Sequence, residues 1–205
     1  MKNWKKIMAM MCAAAMITGA SVPVWAEAEE TETATEAAEA TEYTYDMLEK
    51  EAYEGTWISF EPGFDLYVPS DWEVLEISEE DQTENGLMFQ AKAPDDSGDN
   101  MVVTATDVGK EYDVDKLAEE FATEETYTDI EKVTINGIEA VVFNTDVTYS
   151  LAFLDDNGIM YNVQMGEISD KNAEIAQNLF ISLRVTEAED TADDAAEETT
   201  EETAK

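Results

Sequence analysis

Apolar residues occupy every second position in several stretches of this chain, a pattern typical of β-strands that bury one face. The pattern is clearest on both sides of the turn Asp155-Asp156-Asn157-Gly158, from Val147 to Phe153 before it and from Ile159 to Met165 after it. Asn-Gly favours the positive φ that a tight hairpin turn requires. The two stretches are therefore predicted to form a β-hairpin.

A second Asn-Gly pair, Asn136-Gly137, predicts a further hairpin just upstream, between residues 129–135 and residues 138–145. Together the four strands are predicted to form a consecutive antiparallel meander. Three earlier segments show the same alternation and are predicted as strands: Phe64 to Val68, Leu87 to Ala93 and Met101 to Ala105.

Two amphipathic helices are predicted between and after these strands. Asp113 is a good N-cap for a helix whose apolar residues, from Val114 to Phe121, fall on a single stripe. Ser169 is a similar cap for a helix with its apolar residues on one face. A third, shorter helix is predicted over residues 45–52. This order of elements predicts an α+β fold, an antiparallel β-sheet with helices packed on it, rather than alternating βαβ units.

Residues 1–26 have the organisation of a secretory signal peptide. Three lysines near the start precede an apolar run from Ile7 to about Ala20, and small residues lead up to Ala26. Cleavage after Ala28 fits the same small-residue rule. The apolar run is shorter than the ~20 residues that span a bilayer, and Cys12 lies inside it, outside the context of a lipid-modified cysteine. We therefore predict a secreted, extracellular protein with no membrane segment after cleavage.

Two segments rich in Glu, Thr, Ala and Asp flank the centre of the chain, at residues 27–45 and 187–205. Their few apolar residues cannot offset the entropy of ordering, and their like charges repel each other. Both are predicted to be disordered, the first as a linker and the second as a tail. Whether they act as spacers, cation-collecting brushes or solubilising tethers stays open. The folded domain is then predicted over residues 46–186.

The composition excludes several classes of function. The chain has 49 Asp and Glu residues against 11 Lys and Arg residues, a formal net charge of −38, no histidine, and one cysteine that lies in the signal peptide. Without histidine or a mature cysteine there is no Ser-His-Asp triad, no Cys-His pair and no imidazole or thiolate metal site. The negative charge argues against nucleic acid as a partner, and it favours a monomer that meets cationic partners outside the cell. No cofactor is predicted.

Several motifs resemble those of the PsbP-like proteins. The segment Phe64-Asp65-Leu66-Tyr67-Val68-Pro69-Ser70-Asp71-Trp72 is similar to the phrase ending in Pro-x-x-Trp that opens that domain. The segment Phe180-Ile181-Ser182-Leu183-Arg184 is similar to the helix ending that closes it. The resemblance covers about Trp57 to Val185. It implies a PsbP-like α/β/α sandwich with a mostly non-catalytic role in binding or assembly. It carries over no metal ligands, and docking through basic surface residues has no counterpart in so acidic a domain.

Without histidine or a mature cysteine, the remaining metal ligands are oxygen atoms, which are the ligands that Ca²⁺ prefers. Asp95, Ser97 and Asp99 lie at the i, i+2, i+4 spacing with which EF-hand loops begin. The sixth position of such a loop is Asn100 instead of glycine, and the twelfth position lacks glutamate. Asp95, Asp96 and Asp99 are therefore weak metal-ligand candidates, and a plain hairpin loop is the competing interpretation.

Three aromatic residues are candidates for binding a ligand. Trp57, Tyr67 and Trp72 can form an exposed platform for sugar rings, with Tyr67 on the strand face opposite Phe64. Aromatic residues in such positions more often pack under helices, so a structural role is the competing interpretation. Arg184, the only arginine in the chain, is predicted to form a structural ion pair rather than to clamp a ligand.

These observations predict a secreted, non-enzymatic binding or assembly module. The alternative is a small hydrolase that uses two carboxylates to cleave glycans, because paired Asp or Glu side chains can act as acid and base. Such a pair would have to share a concave pocket and include a carboxyl with a raised pKa. A saline habitat is a third explanation of the acidity.

Overall fold

A computed structural model of the chain describes residues 40–48, 53–94 and 98–186. The predicted signal peptide 1–26, the tail 187–205 and residues 27–39 of the predicted linker lie outside the described residues. The described α-helices are α1 (Glu79–Glu84), α2 (Val114–Thr123) and α3 (Asp170–Ile181). The described strands are β1 (Thr41–Tyr43), β2 (Gly55–Phe60), β3 (Phe64–Pro69), β4 (Glu73–Val74), β5 (Leu87–Lys92), β6 (Asn100–Asp107), β7 (Thr128–Ile135), β8 (Ile138–Asn144), β9 (Thr148–Leu154), β10 (Ile159–Gly166) and β11 (Arg184–Val185).

The strands form two sheets. The large sheet has eight strands in the order β1-β7-β8-β9-β10-β6-β5-β4, and the small sheet has three strands in the order β11-β3-β2. The pairing of β1 with β7 is parallel, and every other pairing in the two sheets is antiparallel. β1 lies at the end of the predicted linker, so the described fold begins before residue 46.

The large sheet has a hydrophobic cluster on each face. On one face, helix α2 packs on β7 and β8 through Leu117 and Phe121. On the other face, helix α3 and the inner side of the small sheet together cover a larger core. This core contains buried residues of the small sheet, among them Phe64, Leu66 and Val68. Burial of apolar area on both faces is the main term that holds the layers together.

The predicted α+β class, with an antiparallel sheet and helices packed on it, is confirmed. The meander is confirmed as β7 to β10, and both predicted helices begin at their predicted caps. Asp113 accepts a hydrogen bond from the backbone of Lys116 at 2.8 Å, and Ser169 accepts one from Asn172 at 3.1 Å. None of the described helices has the length and apolarity to cross a membrane.

Several elements differ from the prediction. The predicted helix over residues 45–52 is a 3₁₀ turn at Tyr45–Met47, and residues 49–52 lie outside the described part of the chain. Val147 is 62% exposed in the turn before β9 and does not begin the strand. Helix α1 has no apolar stripe to predict it, because none of its residues is buried; the signal for it is the N-cap Ser78. The separate small sheet was not predicted, since alternation within a strand does not identify its partners.

Asn136 joins three parts of the fold. It has the positive φ that the Asn-Gly turn predicts, at +49°. Its side-chain oxygen accepts a hydrogen bond of 2.6 Å from the backbone N–H of Tyr45. Its side-chain nitrogen donates to the carbonyls of Ile181 at 2.9 Å and Leu183 at 2.7 Å. One amide therefore ties the turn between β7 and β8 to the segment after β1 and to the end of α3.

Replacement of Asn136 by alanine is expected to lower the free energy of unfolding by about 2 to 3 kcal/mol. About 1 kcal/mol of this is the strain of alanine at the positive φ, and the rest comes from three lost hydrogen bonds worth about 0.5 kcal/mol each. Urea unfolding of the full chain measures this. Asn136→Gly is the matched control: it loses the same hydrogen bonds but tolerates the positive φ, so it should recover about 1 kcal/mol of the loss. Equal stability of Asn136→Ala and the wild type would show that the amide does not join these segments.

Candidate functional site

The outer face of the small sheet presents a group of polar and aromatic side chains. Residues alternate between the two faces of a strand, and the inner face is taken by the buried apolar residues of β2 and β3. In the register of the sheet, Trp57 lies opposite Tyr67, and Asp65 lies between Ser59 on one side and Arg184 on the other. These residues therefore share the face that points away from the core.

Arg184 and Asp65 form an ion pair on this face. The Nε of Arg184 donates to Oδ2 of Asp65 at 3.0 Å. Asp65 is only 3% exposed, and its Oδ1 accepts a hydrogen bond from the Thr186 hydroxyl at 2.8 Å. Burial of the Asp65 carboxyl raises its pKa, but the hydrogen bonds and the charge of Arg184 outweigh burial and hold the pKa below its ordinary value. Asp65 is therefore an ionised anchor for the guanidinium.

The guanidinium of Arg184 also lies against an indole ring. Its central carbon is 3.7 Å from the centre of the Trp57 ring, a cation–π contact well within the usual limit of about 6 Å. The side chain of Arg184 is 34% exposed. Within the described part of the chain, neither Nη nitrogen of Arg184 has a hydrogen-bond partner, and the same holds for Nε1 of Trp57. The face thus offers oriented N–H donors that the protein itself does not use.

Three tyrosines extend the aromatic contact around Trp57. Tyr45 and Tyr67 have ring centres 5.9 Å and 5.3 Å from Trp57, and Tyr53 stacks on Tyr67 at 5.6 Å. The Tyr53 hydroxyl donates to the backbone carbonyl of Tyr67 at 2.6 Å. Burial, together with the nearby Tyr67, raises the pKa of Tyr53 well above its ordinary value, so the donor stays protonated. We call Tyr45, Tyr53, Trp57, Tyr67 and Arg184 the aromatic surface.

The structure brings two of the three predicted aromatic candidates together. Trp57 and Tyr67 are neighbours on the aromatic surface, and Tyr67 also packs against the main core. Trp72 is half-buried and packs against the main core, with no ring contact to Trp57 among the described residues. The predicted structural pairing of Arg184 is present, with Asp65 as its partner. Tyr45 and Tyr53 were not predicted because they lie outside the alternating strands. The sequence signal for them is the density of tyrosines shortly before Trp57.

The structure describes one of the three predicted metal candidates, Asp99. Asp99 is buried, and its carboxylate accepts a hydrogen bond from the Asn172 side chain at 2.6 Å and pairs with Lys171 at 3.5 Å. Asp95 and Asp96 lie outside the described residues. Within the described ranges, no three Asp, Glu, His or Cys residues are grouped so as to hold a metal ion. Asp99 therefore links the start of β6 to helix α3.

Two described carboxyl groups have a clearly perturbed pKa, and both are lowered. One is Asp65. The other is Asp155, where burial raises the pKa but hydrogen bonds from Ile159, Asn157 and Tyr161 lower it by more. These bonds close the predicted turn between β9 and β10. A general acid in a glycoside hydrolase needs a raised pKa, so neither residue has the property that the alternative function requires.

Comparisons with known proteins give a family model and two similar solved structures. The family model described as "Domain of unknown function (DUF4367)" matches residues 65–179, more than half of the chain. The solution structure of cyanobacterial PsbP (CyanoP) from Synechocystis sp. PCC 6803 is similar, with 10% sequence identity and a TM-score of 0.49 over 63% of this chain and 91% of that chain.

A crystal structure from Bacteroides thetaiotaomicron VPI-5482 is similar as well. It is 21% identical, with a TM-score of 0.41 over 65% of this chain and 49% of that chain, so the chain spans about half the length of that protein. No curated protein is significantly similar to this chain.

Proposed function

Because the chain belongs to the DUF4367 family, a family defined by a domain of unknown function, we propose its function from its own surface. The protein is a secreted, non-enzymatic binding or assembly module that holds an extracellular partner on the aromatic surface. The predicted signal peptide supports the extracellular location. The lack of histidine and of a mature cysteine supports a role without nucleophilic or imidazole chemistry.

The observation that carries this proposal is the position of Arg184. Its guanidinium is held from one side by Asp65 and from the other by the Trp57 ring, while its Nη nitrogens stay unused among the described residues. A side chain that is already oriented loses little conformational freedom when a partner binds. Trp, Tyr and Arg are also the residues that most often dominate binding energy at interfaces. The aromatic surface therefore combines an oriented donor with large apolar rings.

The acidity of the chain supports a monomer with selective partners. A strongly negative surface repels a second copy and favours cationic partners over long distances. At short range, binding to the aromatic surface depends on the side chains of that surface. There the negative charge of Asp65 is neutralised by the positive charge of Arg184. The domain can thus be soluble and monomeric while one face remains suited to binding.

A retention experiment tests the proposal. The mature chain is immobilised and incubated with the native extracellular fraction, and the retained components are compared between variants. We expect Trp57→Thr to lose retained components that the wild type keeps, because the ring under Arg184 is removed. Trp72→Phe is the matched control, since Trp72 contacts the core and should leave retention unchanged.

The folding of both variants is checked by circular dichroism before the comparison. Identical retention by the wild type and by folded Trp57→Thr would contradict the proposal, because binding would then not use the aromatic surface.

A further inference from the structure

We propose that the aromatic surface binds a glycan that carries a carboxylate on its sugar ring, such as a uronic acid. The carboxylate would accept from both Nη nitrogens of Arg184, and the ring would lie against the neighbouring aromatic side chains. This inference rests on the proposed function and specifies the chemistry of its ligand.

The aromatic surface has a surplus of hydrogen-bond donors. One carboxylate oxygen of Asp65 accepts from Nε of Arg184, and the other accepts from the Thr186 hydroxyl. Among the described residues, the two Nη nitrogens of Arg184 therefore remain available to a ligand. Trp57 adds a further N–H without a described partner. A group with only acceptor oxygens matches such a surface best. The two parallel N–H donors of a guanidinium fit the two oxygens of a carboxylate in a bidentate pair.

The guanidinium of Arg184 is both oriented and partly exposed. Its central carbon is 3.7 Å from the centre of the Trp57 ring, and the side chain is 34% exposed. The Trp57 ring and Asp65 restrict the orientation of the guanidinium plane before a ligand binds. A bidentate contact therefore costs less conformational entropy than it would with an unrestrained arginine. A lysine at this position would supply the charge without this orientation.

Two aromatic rings lie beside the guanidinium. Trp57 and Tyr67 are half-buried, their ring centres are 5.3 Å apart, and they are paired across β2 and β3 on the outer face of the small sheet. Such rings offer a rigid apolar area with polar edges. A pyranose ring has an apolar face of similar size that can cover it. A bare carboxylate, such as that of a peptide C-terminus, would use Arg184 and leave this area uncovered.

Because the chain is strongly negative, the preference between an acidic sugar and its neutral ester should reverse when Arg184 is removed. The net charge of −38 repels any anion, although charges beyond the Debye length of about 8 Å are largely screened at physiological salt. Without Arg184, an acidic sugar should therefore bind less tightly than its neutral ester. With Arg184, the local bidentate contact should outweigh this repulsion.

Trigalacturonic acid and its trimethyl ester are the probes, since they differ only at the carboxyl groups. Calorimetric titration of the mature wild-type chain is expected to show about tenfold tighter binding of the acid, as charge-assisted bidentate bonds are among the strongest. In Arg184→Gln combined with Asp65→Asn, which removes both charges of the pair, the preference should reverse. Arg184→Lys should lose most of it, and Trp57→Thr should weaken binding of both probes.

The outcomes separate this inference from the proposed function. If the wild type binds acid and ester equally, the carboxylate contact is refuted, while weaker binding of both by Trp57→Thr would leave the aromatic surface as a binding face. If neither sugar binds, the glycan is refuted, and the retention experiment decides the proposed function independently. Tighter binding of trialanine than of trigalacturonic acid, lost in trialanine amide, would overturn the glycan in favour of a peptide C-terminus.

Discussion

Replacement of Gly158 by alanine should lower the free energy of unfolding by about 3 to 5 kcal/mol, whereas the same change at Gly137 should cost only about 1 to 2 kcal/mol. Both glycines follow an asparagine in a hairpin turn, and their φ values are nearly equal, +82° and +84°. The cost of a side chain in the left-handed region is therefore the same at both positions. The difference comes from what the added methyl group meets.

A Cβ at Gly158 would lie 2.3 Å from the carbonyl carbon of Gly109 and 2.6 Å from the backbone nitrogen of Lys110. These are backbone atoms, so they cannot move aside as the end of a flexible side chain can. The backbone N–H groups of Val108 and Gly109 also donate to the Gly158 carbonyl at 3.0 Å and 3.2 Å. A shift of either segment would break these hydrogen bonds. A Cβ at Gly137 has nothing within 4 Å.

Chemical denaturation of the two alanine variants measures the difference directly. The pair is informative because each variant controls for the backbone strain in the other. Equal destabilisation at the two glycines would contradict the close approach of the turn between β9 and β10 to the loop after β6.

Replacement of Asp65 by asparagine is the second large effect that we expect. At neutral pH it should lower the free energy of unfolding by about 2 to 3 kcal/mol, because Arg184 loses its charged partner. The estimate lies below the ~3 to 5 kcal/mol of a fully buried pair, since Arg184 is 34% exposed and keeps some water. Glu73→Gln is the control: its ion pair with Lys92 has the same 3.0 Å distance but is exposed on both sides, so it should cost under about 1 kcal/mol.

The Asp65 effect should depend on pH in one direction. The pKa of Asp65 is lower in the folded state than its ordinary value of 3.8. The ionised carboxylate therefore stabilises the fold fully above that value, and this contribution is lost as the pH falls through the lowered pKa. Unfolding curves of wild type and Asp65→Asn should converge in this acidic range. A stability difference that stays constant down to the lowest pH would contradict an ionised Asp65.

Much of the fold follows from local pattern. The strands β7 to β10 and the helices α2 and α3 were predicted because alternation, Asn-Gly turns and N-caps are read from neighbouring residues. The two Asn-Gly turns look equivalent in the sequence. They differ only through the packing of Gly158 against residues near position 109, a contact between segments that no local pattern records.

The candidate site, like the fold, could be predicted from local sequence only in part. Trp57 and Tyr67 were predicted as a platform because both are aromatic and Tyr67 lies opposite the core side of its strand. Arg184 reaches Trp57 across β3 because β11 pairs with β3. These strands are more than a hundred residues apart in sequence, so their pairing is a property of the whole fold rather than of either segment.

The central claim is that the aromatic surface is the binding face. Outside the predicted signal peptide, Trp57 and Trp72 are the two tryptophans of the chain, so in a sample without residues 1–26 their indole N–H groups give two separate signals in a ¹H–¹⁵N NMR spectrum. The most direct measurement follows both signals while the component eluted from the wild-type retention experiment is added. We expect the Trp57 signal to shift and the Trp72 signal to stay in place. A shift of Trp72 alone, or saturation of binding with Trp57 unmoved, would contradict the account.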